Sequence, residues 1–157
     1  MGGSVVQYDA YWVSPNEKLA RIVLSPRDLD PLTNYPKDSF ITLRDSEGGI
    51  SFLRLDYLGK ETFCQKGEER ASLYNKNLKK PKYMFAGWME ATVDEILSID
   101  PEKIGISVDS PNTRPEHVNV SFKKDGEIVK GIVTDAEILD LMDELYHRLS
   151  YIQVYNR

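Results

Sequence analysis

The sequence predicts an α+β fold: a mainly antiparallel sheet built from hairpins, with one short helix and a long C-terminal helix packed on one face. Three observations predict it. His117 to Lys123 and Glu127 to Val133 are strand-like and flank Lys124-Asp125-Gly126, an Asp-Gly turn. Thr134-Asp135-Ala136-Glu137 spells a capping box, and Ile138, Leu141, Met142, Leu145, Leu149 and Ile152 follow it at three-and-four spacing. Thr92-Val93-Asp94-Glu95 spells another, opening a short helix to Ile99 that Asp100-Pro101 ends.

The remaining elements follow in chain order. Residues 5 to 13 alternate, with Val6, Tyr8, Ala10 and Trp12 on one side and Gln7, Asp9 and Tyr11 on the other, the period of a half-buried strand. Leu19 to Leu24 is a β-rich run closed by Ser25-Pro26, where proline removes a ladder donor. From Pro26 to Asp38 the prolines, aspartates and Asn34 spell a loop. Phe40 to Arg44 and Ile50 to Asp56 flank Asp45-Ser46-Glu47-Gly48-Gly49 and read as a hairpin. Residues 61 to 80 give no consistent pattern: Phe63, Cys64 and Leu73 suggest helix, whereas Gly67, Asn75 and Asn77 weaken it. Tyr83 to Trp88 reads as a buried strand, Ile104 to Val108 as another, and Asp109 to Glu116 as a polar surface loop. In the last helix Asp140, Asp143 and Glu144 fall on the solvated face, and Arg148 near its end suits the macrodipole.

Size and composition bound the function classes. A chain of 157 residues fits a single domain. Hydrophobic residues at 41% and charged residues at 29% exclude the composition of a disordered chain. A formal charge of -5 repels a phosphate backbone and makes nucleic acid an unfavoured partner. One cysteine, Cys64, allows neither an internal disulfide nor a CxxC pair. The first residues lack the basic start and apolar run of a signal peptide, and no run of apolar residues approaches the length of a membrane span. A cytoplasmic location without membrane contact is therefore expected, and a homo-oligomer stays open.

Motifs for catalysis or cofactors are missing. GxGxxG, GxxxxGK[ST], HExxH, an EF-loop and GxSxG do not occur, and only two histidines exist, so neither a cofactor nor a metal is expected. The residue that stands out is His117, which ends the polar loop and heads a strand. Beside Arg114, Glu116 and Asp109 its imidazole could act as a general base or hold an anionic group, with Arg114 supplying a planar donor fork; equally, it could fix the loop by hydrogen bonding. Cys64 reads as a nucleophile or a small buried hydrophobe, and His147 as a cation complementing the dipole at the helix end or as a capping or surface residue. Lys76, Lys79, Lys80 and Lys82, with Tyr74 and Tyr83 at their edges, read as a solvated loop or a strand-binding platform. Tyr146, Tyr151 and Tyr155 follow one another along the end of the last helix and fit either an interface or packing against the sheet.

Phe85-Ala86-Gly87-Trp88, Thr92-Val93-Asp94-Glu95-Ile96 and Arg114-Pro115-Glu116-His117-Val118-Asn119-Val120 before a final helix resemble a group of small bacterial proteins. Those proteins carry an Asn-Pro-x-His-Ala-x-Ile type of motif before a C-terminal helix; here Arg114 replaces the asparagine and Val118 the alanine. The resemblance covers about the last half of the chain, and implies a bacterial origin and a strand beginning at His117, but no particular activity. The missing motifs, acidic charge and tyrosine-lined helix end favour a non-enzymatic protein-binding module, such as a regulator, inhibitor or immunity-type protein. The alternative is a small enzyme or ligand-binding domain centred on Asp109, Arg114, Glu116 and His117.

Overall fold

Strand β1 (Lys18–Ser25) is the apolar run expected around residues 19 to 24, ending at the cis Ser25-Pro26 bond. This computed structural model describes residues 12–41, 48–131 and 133–154. After β1 come β2 (Ile50–Arg54), α1 (Leu55–Leu58), α2 (Lys60–Asn75), β3 (Met84–Thr92) and α3 (Val93–Leu97). The chain continues with β4 (Ile104–Ser110), β5 (Arg114–Lys124), β6 (Glu127–Ile128), α4 (Ala136–Arg148) and β7 (Ser150–Gln153). The strands pair antiparallel in the order β4-β5-β2-β1-β3-β7, and β6 pairs with the end of β5. The expected antiparallel α+β class is therefore present.

Helices cover both faces of this sheet, not one. Successive side chains of a strand point to opposite faces. Leu19, Phe52, Met89, Val118 and Val120 pack on one face with Ile138, Leu141, Met142 and Leu145 of α4 and Val93 and Ile96 of α3. On the other face Ala20, Ile22, Leu24, Phe85 and Trp88 pack with Phe63 and Ala71 of α2. The helix α2 fills the stretch that sequence patterning left open. Its buried seam is Phe63, Gly67 and Ala71, spaced by four, and two of the three are too small to mark a hydrophobic stripe. The small seam lets the helix approach closely: a Cβ on Gly67 would lie 2.5 Å from the Phe85 ring.

Of the local turn and cap signals, the Asp-Gly turn and the Thr92 box form as expected and the Thr134 box does not. Asp125 and Gly126 have φ of 54° and 80°, the two positive values of a tight hairpin turn, although β6 is only two residues long. Thr92 caps α3 in a capping box with Glu95. For α4 the cap is Asp135, one residue later than the box predicted: its carboxylate accepts from the amides of Glu137 and Ile138.

Three expectations are corrected, and a fourth falls mostly outside the described residues. The last helix spans 13 residues and ends at Arg148, because Leu149 turns extended and Ser150–Gln153 becomes strand β7 on the free edge of β3. That edge is reachable only at a glycine: a Cβ on Gly87 would sit 2.0 Å from the Ile152 carbonyl oxygen. The supposed loop Asp109 to Glu116 is mostly strand, since β4 runs to Ser110, β5 begins at Arg114 and Ser110 pairs with Arg114. The hairpin of Phe40 to Arg44 with Ile50 to Asp56 does not form as drawn. Phe40 ends a 3-10 turn (Asp38–Phe40), β2 pairs with β1 and β5, and Leu55 opens α1; residues 42–47 lie outside the described residues. Of the strand expected over 5 to 13, Trp12 and Val13 are described and belong to no strand, and the rest lies outside the described residues.

Candidate functional site

The face of the sheet that α2 covers changes character across its width. Beneath α2 it is apolar, but toward β5 the same face carries Ser51, His117, Asn119 and Ser121, placed there by strand alternation and by the pairs Leu53–His117 and Ser51–Asn119. At this boundary β1 and β2 separate. Their paired positions are Leu19 with Arg54 and Ala20 with Leu53; beyond them the Arg21 guanidinium donates to the Ser51 carbonyl through Nη1 at 2.6 Å. A cavity of about 260 Å³ lies there, lined by Arg21, Ser51, Arg70, Arg114 and His117 with apolar contributions from Ala20, Ile22 and Leu53. Among the described residues its lining holds three arginines and no carboxylate.

Two members of the sequence-predicted cluster, Arg114 and His117, line this cavity, and the carboxylates of Asp109 and Glu116 stand behind them. Arg114 Nη2 lies 3.1 Å from both ring nitrogens of His117, while Nη1 is 3.7 Å from Asp109 Oδ2. Glu116 Oε2 is 3.8 Å from His117 Nε2, and Asn119 donates to Asp109 Oδ1 at 3.2 Å. All four residues singled out around His117 therefore meet, held by the β4–β5 hairpin in place of a loose loop. Burial is the largest influence on the His117 pKa and lowers it from 6.5; the Arg114 guanidinium lowers it further, Glu116 and Asp109 oppose, and Lys66 adds to the lowering. The same guanidinium that lies against the ring therefore works with burial to disfavour its protonated form.

Sequence reasoning missed Arg21, Arg70 and Lys66. Arg21 was legible as the lone charge inside the apolar run of β1, whereas Arg70 and Lys66 stand one turn apart on α2, in the unread stretch. It also missed the pair that anchors the site. Arg54 Nε donates to Glu17 Oε1 at 2.6 Å and Nη2 to Oε2 at 3.2 Å, with both side chains fully buried. The same guanidinium donates to the carbonyls of Pro115 and Trp12 and lies 4.5 Å from the Tyr57 ring centre. It thereby pins the start of β5, between Arg114 and Glu116, to the end of β2.

The tyrosines form a separate group. Tyr146 is on α4 and Tyr151 in β7, so they do not share a helix; Tyr155 lies outside the described residues. Tyr35 of the proline-rich loop joins them, edge-on to Tyr146 at 6.4 Å and to Tyr151 at 5.6 Å. The Tyr146 hydroxyl donates to the Pro36 carbonyl at 2.6 Å. Burial first, then the neighbouring Tyr35, Asp38, Asp30 and Asp143, raises the Tyr146 pKa, and burial raises that of Tyr151. In the last turn of α4 His147 Nδ1 lies 2.8 Å from the Asp143 carbonyl oxygen, and half-buried Cys64 packs against the apolar cluster beneath α2.

Among the described residues no helix is long and apolar enough to cross a membrane, and no group of three or more His, Cys, Asp or Glu could hold a metal ion. No protein-family model, curated protein or solved structure matches the chain.

Proposed function

We propose that the protein binds a small anionic molecule, through a phosphate, sulfate or carboxylate group, in the cavity between β1, β2, β5 and α2. The observation that carries this reading is the convergence of Arg21, Arg70 and Arg114 with His117 on one small cavity in a protein of net charge -5. Guanidinium groups present planar donor forks that match oxyanions, and charge-assisted hydrogen bonds are about twice as strong as neutral ones. Arg21 is held against Ser51, so Arg70 and Arg114 are the groups that meet the ligand. His117 lies against the Arg114 guanidinium, and its protonation on anion binding adds a further positive charge to those of the arginines. A volume of 260 Å³ suits a ligand of a few heavy atoms around one oxyanion.

A ligand that binds only the folded state raises the melting temperature. Across a panel of sulfate, phosphate, pyrophosphate and short dicarboxylates at constant ionic strength, at least one anion raises it, and the rise is lost in Arg114→Gln. A panel without any anion-specific rise contradicts the reading.

A second reading, a protein partner of basic character, is favoured by the open cleft of about 750 Å³ on the opposite side of the sheet, where Asp30, Asp38 and Asp143 outnumber Lys37 around Tyr35, Tyr146 and His147. A lysine-rich peptide then binds and Asp143→Asn weakens it; equal binding of a glutamate-rich peptide contradicts this reading.

A further inference from the structure

Between Glu69 and Glu90 the sequence carries Arg70, Lys76, Lys79, Lys80 and Lys82 and no acidic residue, although acids outnumber bases in the whole chain. The fold concentrates this stretch at the C-terminal end of α2. Asn75 closes it: Oδ1 accepts from the amides of Lys82 and Tyr83, and Nδ2 donates to the Tyr83 carbonyl, each at 2.9 Å. The lysine loop is thereby folded back onto the helix end and not left as a free tail. Aliphatic side chains stand out of the same end, with Leu73 70%, Leu78 43% and Met84 50% exposed.

We infer that this end of the molecule docks on anionic membrane surfaces, with the lysines meeting lipid phosphates and Leu73, Leu78 and Met84 entering the headgroup region. Charge complementarity selects an anionic occupant, because each Lys or Arg near such a surface contributes about 1 kcal/mol. The aliphatic groups select lipid among anionic occupants. They sit on three elements, a helix end, a loop and a strand start, which suits a plane better than a single bound chain. Each also gains from leaving water, as interfacial side chains do. Bases of single-stranded nucleic acid would need open aromatic faces. Here Tyr74 and Tyr83 lie 5.4 Å apart against each other, Arg27 lies over Tyr74 at 4.9 Å and Lys82 over Tyr83 at 5.5 Å.

Flotation of the full chain with phosphatidylcholine vesicles, with and without phosphatidylglycerol, tests this. The protein floats with the anionic vesicles only, and salt near 1 M releases it, since screening then acts within about 3 Å. The triple variant Lys79→Glu, Lys80→Glu, Lys82→Glu loses at least about tenfold in vesicle affinity. Leu73→Ser, at the most exposed of the three, also weakens binding while shifting the melting temperature little. Protein that stays unbound, floats equally with neutral vesicles, floats undiminished as the charge-reversed variant, or binds single-stranded DNA while ignoring vesicles overturns the inference.

Discussion

Arg54 and Glu17 form a two-pronged ion pair with both side chains withdrawn from solvent. Removing one partner of such a pair leaves an uncompensated buried charge, which costs about 3–5 kcal/mol, whereas replacing both by apolar groups costs far less. Glu17→Met and Arg54→Met are each expected to lower unfolding free energy by that amount in urea, with the double variant recovering part of it. Additive losses would show that the two residues act separately.

Gly67 is expected to resist the substitution that helix propensity favours. Alanine gains about 1 kcal/mol over glycine in a helix interior. Its Cβ would however meet Phe85 Cδ1 and Cε1 at 2.5 Å, and overpacking of this kind costs about 1–3 kcal/mol. Gly67→Ala therefore destabilises the protein, and Phe85→Leu in the same chain restores part of the loss; a stabilised single variant would mean that α2 sits farther from the sheet.

Asp135, not Thr134, carries the cap of α4. Asp135→Ala costs about 1 kcal/mol and Thr134→Ala much less, read from thermal or urea unfolding. The reverse order would place the helix start one residue earlier.

His117 links stability and ligand binding to pH in opposite directions. Its folded pKa lies below 6.5, so the unfolded chain binds the proton more readily, and its stabilising contribution is complete above pH 6.5 and lost as pH falls through the folded value. An oxyanion in the cavity favours the protonated ring instead, so sulfate affinity rises as pH falls from 8 to about 5.5, a range in which sulfate itself keeps its charge. His117→Gln flattens both dependences in calorimetry and thermal melts. A pH profile unchanged by that substitution would remove His117 from the site.

What was legible in the sequence was local chemistry. The Asp125-Gly126 turn, the Thr92 cap and the β1 run each depend on a few neighbouring residues and appear where expected. Misread elements depend on distant partners. Ser150–Gln153 continues the apolar spacing of α4 but becomes a strand because β3 offers an unpaired edge and Gly87 allows the approach. The helix α2 has a seam of small residues whose meaning needs the Phe85 ring. The candidate site divides in the same way. Asp109, Arg114, Glu116 and His117 are neighbours in sequence across one hairpin and were found; Arg21 and Arg70 reach the cavity from β1 and α2, which only the fold brings together.

The central claim is tested most directly by titrating sulfate into the wild-type protein, Arg70→Gln and Arg114→Gln by isothermal calorimetry at pH 6 and fixed ionic strength. A saturable single site in the wild type, weakened about tenfold or more by each substitution, is the predicted result, since tenfold corresponds to about 1.4 kcal/mol, within reach of one charge-assisted hydrogen bond. No saturable heat, or equal affinity in all three proteins, would contradict an anion site in this cavity.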